Sequence, residues 1–177
     1  VIIGDPDRLR AVAEDFIKHY ETRVAEGATV AGKAMFVCSN RNIAYDFYKI
    51  VKELRPEWTE KKICDDGVVL SEKDKKELKP MEKIKLVMTR NKDDEKDLFD
   101  MLGTKEDRKE FDRQFKNPKS NFKIAIVVDM WLTGFDVPEL DTIYIDKPIQ
   151  QHTLIQTISR VNRVCEGKDK GLIVDYI

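Results

Sequence analysis

Two arginines and a glutamine near the end of the chain have the residue types and the spacing of a phosphate-binding set. Gln156, Arg160 and Arg163 lie within the stretch QTISRVNR, at intervals of four and three residues. A helix places residues at these intervals on one side. The planar guanidinium of arginine keeps its charge and suits phosphate oxygens. A solvated or salt-bridged pair of arginines has the same spacing, so the pattern alone permits both interpretations.

A second candidate is the stretch TGFD, which follows a predicted buried strand. Gly134 could let the backbone approach a ligand closely or adopt a positive φ angle. Asp136 could accept hydrogen bonds from a ribose, or it could cap the turn before Pro138. Trp131 could stack on a base, but packing in the core is the favoured interpretation of an aromatic residue directly after a strand.

The elements that must position these residues are apolar runs alternating with helical patterns, which predicts an α/β fold with a parallel sheet covered by helices on both faces. The predicted strands are Ala34–Cys38, Ile84–Thr89, Lys123–Asp129, Thr142–Asp146 and the closing stretch GLIVDYI. The predicted helices run from Asp5-Pro6 to Gly27, over 43–54 before Pro56, and over IQQHTLIQTISRVNRV. Ligands bind at the carboxyl ends of parallel strands, which singles out 39–41, 130–136 and the helix after Asp146.

The middle of the chain is the least regular part of the sequence. Residues 58–83 are polar and predict a variable, partly loose insertion. The charged stretch from Asn91 to Lys116 carries a thin apolar stripe, which indicates one or two surface helices with a solvated face. We therefore expect one domain over 1–177 with a variable charged insertion at about 58–120.

Composition limits the class of protein. The 177 residues suit one domain with a real core, and a net charge of −1 does not indicate a purely electrostatic nucleic-acid binder, although a local basic surface is compatible with it. The three cysteines, Cys38, Cys64 and Cys165, are far apart, which favours reduced thiols in a cytosolic protein. Neither a membrane span nor a signal peptide is visible, and the start on Val1 suggests a piece of a larger protein.

The sequence lacks a phosphate loop of its own. Gly32-Lys33 is followed by Ala34, and Gly167-Lys168 is followed by Asp169, so neither completes G-x-x-x-x-G-K-[ST]. The acidic stretch DDEK at 93–96 does not follow a strongly apolar strand, which argues against a metal-binding acidic box there. A self-sufficient nucleotidase is therefore not predicted.

Three stretches in order resemble the motifs of the second RecA-like lobe of a superfamily 2 helicase, and more narrowly the motor of the type I restriction enzyme R subunit. KAMFVCSNRNIAYDFY is similar to motif IV, VVDMWLTGFDVPELDTIYIDKP to motif V, and LIQTISRVNRV to motif VI, with GKDKGLIVDYI matching the pattern that follows. The resemblance is strong over 122–177, moderate over 1–56 and weak over 58–120. Ser159 stands where many superfamily 2 helicases have glycine, a departure that resembles the restriction subgroup.

The resemblance implies a P-loop fold that lacks its own P-loop. ATP would lie between two lobes, with the phosphate loop and the Mg²⁺ ligands in the first. Arg160 and Arg163 would reach the γ-phosphate across the cleft, and Gln156 would position the nucleotide or the arginines. Gly134 and Asp136 would couple the cleft to the nucleic-acid track.

On the nucleic-acid side, the resemblance implies contacts from groups at strand ends and helix starts, which hold phosphates without reading sequence. These groups are Ser39, Asn40, Arg41, Thr89 and Thr133. Helix capping explains Ser39 and Asn40 nearly as well, and both roles are compatible. The implied partners are double-stranded DNA, the first RecA-like lobe, and the modification and specificity subunits of a cytoplasmic restriction complex.

Two alternatives remain open at this point. One is another superfamily 2 helicase or remodeller acting on DNA or RNA. The other is a non-catalytic α/β module for interaction or nucleic-acid binding. Under the restriction interpretation, the parent protein is an enzyme, and the isolated fragment should not hydrolyse ATP appreciably because it lacks the phosphate loop.

Overall fold

Five parallel strands form one sheet in the order β2-β3-β1-β4-β5. The computed structural model describes residues 2–131, 136–150 and 171–177 and, between these last two ranges, residues 153, 156, 157, 159, 161, 162, 165, 167 and 168. The strands are β1 (Ala34–Cys38), β2 (Ile84–Leu86), β3 (Ile124–Val127), β4 (Thr142–Asp146) and β5 (Leu172–Asp175). All five predicted strands are confirmed, although β2, β3 and β5 are shorter than the predicted Ile84–Thr89, Lys123–Asp129 and GLIVDYI.

Helices cover both faces of the sheet, as predicted. They are α1 (Pro6–Ala25), α2 (Arg41–Leu54), a 3₁₀ turn (Pro56–Thr59), α3 (Glu72–Glu77), α4 (Lys96–Leu102) and α5 (Lys105–Lys116). Successive strand residues point to opposite faces, so Phe36 packs with α1 and α2 while its neighbours Met35 and Val37 pack with the cluster that contains Phe115 of α5. The ring of Phe36 stacks on Phe47 of α2 with centroids 3.9 Å apart.

Local side-chain contacts fix where the first two helices begin. The Asp5 carboxylate accepts hydrogen bonds from the amides of Asp7 and Arg8, and Pro6 occupies the first turn of α1. The Asn40 side chain accepts from the amide of Ile43 at 2.9 Å and caps α2. The predicted stop of α1 at Gly27 is confirmed, since Glu26 is the C-cap and Gly27 has φ of 69°.

The stretch 58–83 is more ordered than expected. Trp58, Leu78 and Met81 are buried, and Lys62 forms an antiparallel bridge with Met81. A few large apolar residues without regular spacing therefore anchor this stretch, which the sequence pattern did not predict, and its partly loose character stays a prediction. That 58–120 is an insertion variable among relatives stays a prediction, but it contributes β2 to the sheet.

The charged stretch forms two helices, α4 and α5, as expected. Each buries a thin stripe, with Leu98 and Leu102 on α4 and Phe115 on α5, and leaves its charged side in solvent. Within the described part of the chain, no helix is long and apolar enough to cross a membrane. The three cysteines are free thiols, of which Cys38 is buried.

Candidate nucleotide and nucleic-acid interface

The residues predicted to contact phosphates lie along the carboxyl edge of the sheet. Because all strands are parallel, their carboxyl ends meet at this edge. Ser39, Asn40 and Arg41 follow β1, and Thr89 lies three residues beyond the end of β2. The residues that follow β3 and β4 lead towards the other two predicted patches. The described members of the first two predicted patches, 39–41 and 130–131, therefore share this edge with Thr89.

Ser39 and Asn40 both have structural partners. The Ser39 hydroxyl donates to the Asp146 carbonyl at the end of β4, at 3.0 Å. Asn40 is the N-cap of α2 and is exposed, so the amides of the first turn of this 14-residue helix face the edge. The capping role is confirmed for Asn40, and the DNA contact of both residues stays a prediction.

The guanidinium of Arg41 is held by two partners. Its Nη2 donates to both carboxylate oxygens of Asp94, each at 2.8 Å, and its Nη1 donates to the Thr89 carbonyl. Asp94 also accepts a hydrogen bond from the amide of Asn91 at 2.7 Å. Burial alone would raise the pKa of Asp94, but the hydrogen bonds from Asn91 and Arg41 outweigh it and lower that pKa. Asp94 is thus a carboxylate held in its charged form against Arg41.

A pocket of about 350 Å³ opens beside Arg41, between the exits of β2 and β3. Arg41, Thr89 and Asp129 provide its polar lining. The apolar lining consists of Val87, Met88, Val128 and Met130. The pocket therefore combines a guanidinium with an apolar surface, an arrangement that suits a phosphate and the sugar attached to it.

A buried ion pair anchors the exit of β4. The Asp146 carboxylate is fully buried and receives both terminal nitrogens of Arg8, at 2.6 and 3.0 Å. Arg8 also donates to the carbonyls of Ile3 and Tyr176, and the hydrogen bond to Asp146 raises the pKa of Arg8. No pattern in the sequence predicted this pair. The available signal was a carboxylate ending an otherwise apolar strand, since burial of such a charge demands a partner.

Lys147, the next residue, links the exits of β4 and β3. Its Nζ donates to the Val128 carbonyl at 3.0 Å and to the Asp129 carboxylate at 2.6 Å. We refer to the contacts of Arg8, Ser39, Arg41 and Lys147 as the carboxyl-edge contacts. In the sheet order, Arg41 reaches across β3 to the exit of β2, and Lys147 reaches across β1 to the exit of β3. The side chains therefore connect strands that the backbone ladder does not pair.

Only some of the residues predicted to face the nucleotide are among those that the structure describes. Thr133, Gly134, Arg160 and Arg163 lie outside them. Asp136 is half-buried. Residues 153, 156, 157, 159 and 161 are helical, with Gln156 exposed and Thr157 and Val161 buried, so these positions follow the predicted helix with Gln156 on its solvent side.

Trp131 stands at the entry to the TGFD stretch and packs on the core, as favoured from the sequence. Its ring stacks on Phe115 with centroids 5.3 Å apart and planes at 25°. Its φ angle is 68°, in the left-handed region that bulky residues rarely occupy. Trp131 therefore combines packing on the core with an unfavourable backbone conformation directly before the stretch predicted to couple nucleotide and DNA.

Gly171 is a second residue that the sequence analysis missed. A Cβ atom on it would lie 2.1 Å from the carbonyl oxygen of Val161, which lies between the two predicted arginines in the sequence. Its amide donates to the Asn162 side chain at 3.3 Å. Only glycine allows β5 to begin this close to the backbone of the arginine segment.

Solved structures establish the class of fold. A fragment of a protein assigned as the HsdR subunit of a type I restriction enzyme from Vibrio vulnificus YJ016 superposes with a TM-score of 0.59 at 15% identity, covering 97% of this chain and 28% of that chain. Domain 2 of the DEAD-box helicase Mss116p, solved bound to an RNA duplex, gives a TM-score of 0.54 at 16% identity, covering 97% of this chain and 50% of that chain. The chain therefore has the RecA-like fold of a helicase second domain, as predicted.

Sequence comparison then gives the family. Residues 30–177 match the family model of type I restriction enzyme subunit R domain 3, and the chain belongs to this family. It is 38% identical, over 179 residues, to the type I restriction enzyme HindI endonuclease subunit of Haemophilus influenzae. The match covers 99% of this chain and 15% of that relative, so the chain spans less than a sixth of the relative's length. The predicted family is confirmed.

Proposed function

We propose that this chain is the second RecA-like lobe of the ATP-dependent DNA translocase in a type I restriction endonuclease R subunit. Family membership and the name of the HindI relative support the restriction context. The observation that carries the proposal is the convergence at one edge of the sheet of the start of α2, the Arg41 guanidinium and the exits of β3 and β4. A nucleic-acid track and a nucleotide cleft both need such an edge.

The ATP side of the proposal rests on the segment around Gln156. ATP, bound with Mg²⁺ between this lobe and the first RecA-like lobe, supplies the phosphoanhydride whose hydrolysis powers movement. Gln156 lies on the exposed side of its helix, and the amide and guanidinium donors of this segment fit polyphosphate oxygens. Arg160 and Arg163 contact the γ-phosphate and stabilise the charge of the transition state. In this proposal the residues that hold Mg²⁺ belong to the first lobe.

Gly134 and Asp136 couple this cleft to the DNA track in the proposed mechanism. Trp131 supports that role, because its packing on Phe115 fixes where the stretch leaves β3. Closure of the cleft then moves this lobe, with the DNA held at the exits of β1 and β2, relative to the first lobe.

On the DNA side, donors at the start of α2, together with Arg41, Thr89 and Thr133, hold backbone phosphates. These groups offer no pattern that distinguishes bases, which suits a motor that passes over any sequence. Double-stranded DNA is therefore the proposed track, in the cytoplasm and within a complex with modification and specificity subunits. The Mss116p domain was solved on RNA, but its likeness shows the fold alone, and the restriction family favours DNA.

The test is DNA-stimulated ATP hydrolysis by the full-length parent protein with its partner subunits. We expect Arg160→Ala and Arg163→Ala each to lower the rate by up to about 10³-fold to 10⁵-fold, the range found for arginine fingers. Arg113→Ala is the matched control, because Arg113 lies on α5 with its side chain 64% exposed and paired with Glu110. Normal hydrolysis by both variants would contradict the motor and favour a non-catalytic interaction module.

A further inference from the structure

We propose that Asp94 is an intramolecular competitor of DNA phosphate for the guanidinium of Arg41, so that DNA must displace it to gain full contact with that residue. The inference rests on the proposed DNA track, and it adds a contact that limits how strongly Arg41 binds a DNA phosphate. Asp94 lies in the charged stretch that the sequence assigned to a solvated face. The structure instead turns its carboxylate inwards, with the Asp94 side chain 9% exposed and that of Arg41 31% exposed.

The geometry of the pair resembles that of a phosphate contact. Two carboxylate oxygens lie 2.8 Å from one guanidinium nitrogen, which is the distance and charge that a phosphate would also offer. Arg41 of this pair lines the 350 Å³ pocket between the exits of β2 and β3, so a backbone phosphate that enters the pocket meets its guanidinium. Carboxylate and phosphate would therefore compete for the same donors.

Arg41 does not need Asp94 to stay at the edge. Its Nη1 is tethered separately to the Thr89 carbonyl, and its backbone is the first residue of α2. Loss of the Asp94 charge should leave the guanidinium in place with its charge uncompensated. A carboxylate that merely positioned Arg41 would have the opposite effect on removal, because the arginine would then be displaced from its phosphate.

Asp94 also has a local structural task that can be separated from its charge. Its carboxylate accepts from the amide of Asn91, and its own amide donates to the Asn91 carbonyl at 3.0 Å. An asparagine keeps a side-chain oxygen for that amide, while it removes the charge and replaces the second acceptor oxygen with an NH2 group. The physical consequence of the competition is a weaker grip on each phosphate, which lets a motor release DNA at every step.

The experiment measures binding of the full-length protein to a short fluorescent DNA duplex at several salt concentrations. We expect Asp94→Asn to tighten binding about threefold to tenfold at low salt, with the gain shrinking as salt screens the interaction. Asp100→Asn is the matched control, since Asp100 loses the same charge on α4, where its carboxylate is 58% exposed and paired with Lys96. The control should leave affinity within about twofold.

A double-mutant cycle separates the two levels of inference. Arg41→Gln should weaken binding and lower the salt slope by about one, and adding Asp94→Asn to Arg41→Gln should then produce no gain. If Asp94→Asn alone weakens binding or leaves it unchanged while Arg41→Gln weakens it, the competition is overturned and the DNA role of Arg41 survives. If Arg41→Gln changes neither affinity nor salt slope, the proposed DNA role of Arg41 fails as well. Should Asp94→Asn misfold, Asp94→Ser, which also keeps an acceptor for Asn91, replaces it in the same cycle.

Discussion

Asp146 joins the exit of β4 to its surroundings through both its side chain and its backbone. It is fully buried and has Arg8 as its charged partner, while its carbonyl accepts the hydroxyl of Ser39. An ionised carboxylate without that partner would be costly at this depth. Side chain and backbone of one residue therefore join α1, β1 and the end of β4.

We expect Arg8→Ala to lower the free energy of unfolding of the chain by about 3–5 kcal/mol, because it leaves the buried Asp146 carboxylate unpaired. Urea unfolding followed by circular dichroism measures this. Arg10→Ala is the control, since Arg10 is 45% exposed and pairs with exposed Glu14 and Glu53, and its loss should cost about 1 kcal/mol or less. Equal losses for the two variants would mean that solvent or rearrangement compensates Asp146.

Single residues differ in how far the sequence predicts them. The cap at Asn40 is predictable because its partner, Ile43, is three residues away. The partners of Arg41 and Arg8 are 53 and 138 residues distant, and nothing local selects Asp94 or Asp146 from the other acidic residues. The sequence therefore indicated which charged and polar residues lie at this edge, but which of them form pairs could be known only from the fold.

At the scale of elements, the strands and the helices α1 and α2 were predictable because apolar runs and caps are local signals. The early end of β2 could not be predicted from such local signals. The Val87 amide still bonds to the Ile126 carbonyl at 2.9 Å, but β3 itself ends at Val127 and offers no further ladder. The buried residues of 58–83, Trp58 and Met81 among them, were not predictable because they do not recur at a helical or strand spacing.

The contact between β5 and the arginine segment gives a prediction for these elements. Gly171→Ala should lower the free energy of unfolding by about 1–3 kcal/mol, since the added Cβ would overlap the Val161 carbonyl and force the segment away from β5. It should also lower DNA-stimulated ATP hydrolysis in the full-length protein, because the displaced residues flank Arg160 and Arg163.

Gly4→Ala is the control for this substitution. A Cβ on Gly4 would lie 3.4 Å from the Ile43 side chain, which is ordinary contact. Its stability and activity should stay close to those of the wild type. Unchanged stability and hydrolysis for Gly171→Ala would mean that the segment shifts without cost, and that the close approach has no part in placing the arginines.

At the scale of the whole molecule, the order of the strands was beyond the sequence. Five apolar strands alternating with helices are compatible with several orders, and only the pairings place β1 in the centre, between β3 and β4. The parallel class followed from apolar strands alternating with helices, while the order depends on which strand faces pack against α1, α2 and α5.

The central place of β1 makes its cysteine a reporter of global unfolding. Cys38 ends β1 with no exposed surface, and burial raises the pKa of its thiol, whereas Cys64 and Cys165 are half-buried. In the native chain we expect a thiol reagent to modify Cys64 and Cys165 first and Cys38 only at the rate of unfolding. Peptide mass spectrometry over time assigns each site. Modification of Cys38 as fast as Cys64 would show that β1 is not the stable centre of the sheet.

The carboxyl-edge contacts have a mechanical consequence. The Arg41 and Lys147 contacts overlap along the sheet. Arg41 connects the exits of β1 and β2 across β3, and Lys147 connects the exits of β4 and β3 across β1. A force on the exit of β2 is therefore transmitted to β1, and a force on the exit of β3 is transmitted to β4. Because the two connections are offset by one strand, together they oppose sliding of neighbouring strands past one another. Loss of either the Arg41 or the Lys147 contact should lower the stiffness of the carboxyl edge without separating its strands. A force applied at one strand exit should then move the neighbouring exits together with it.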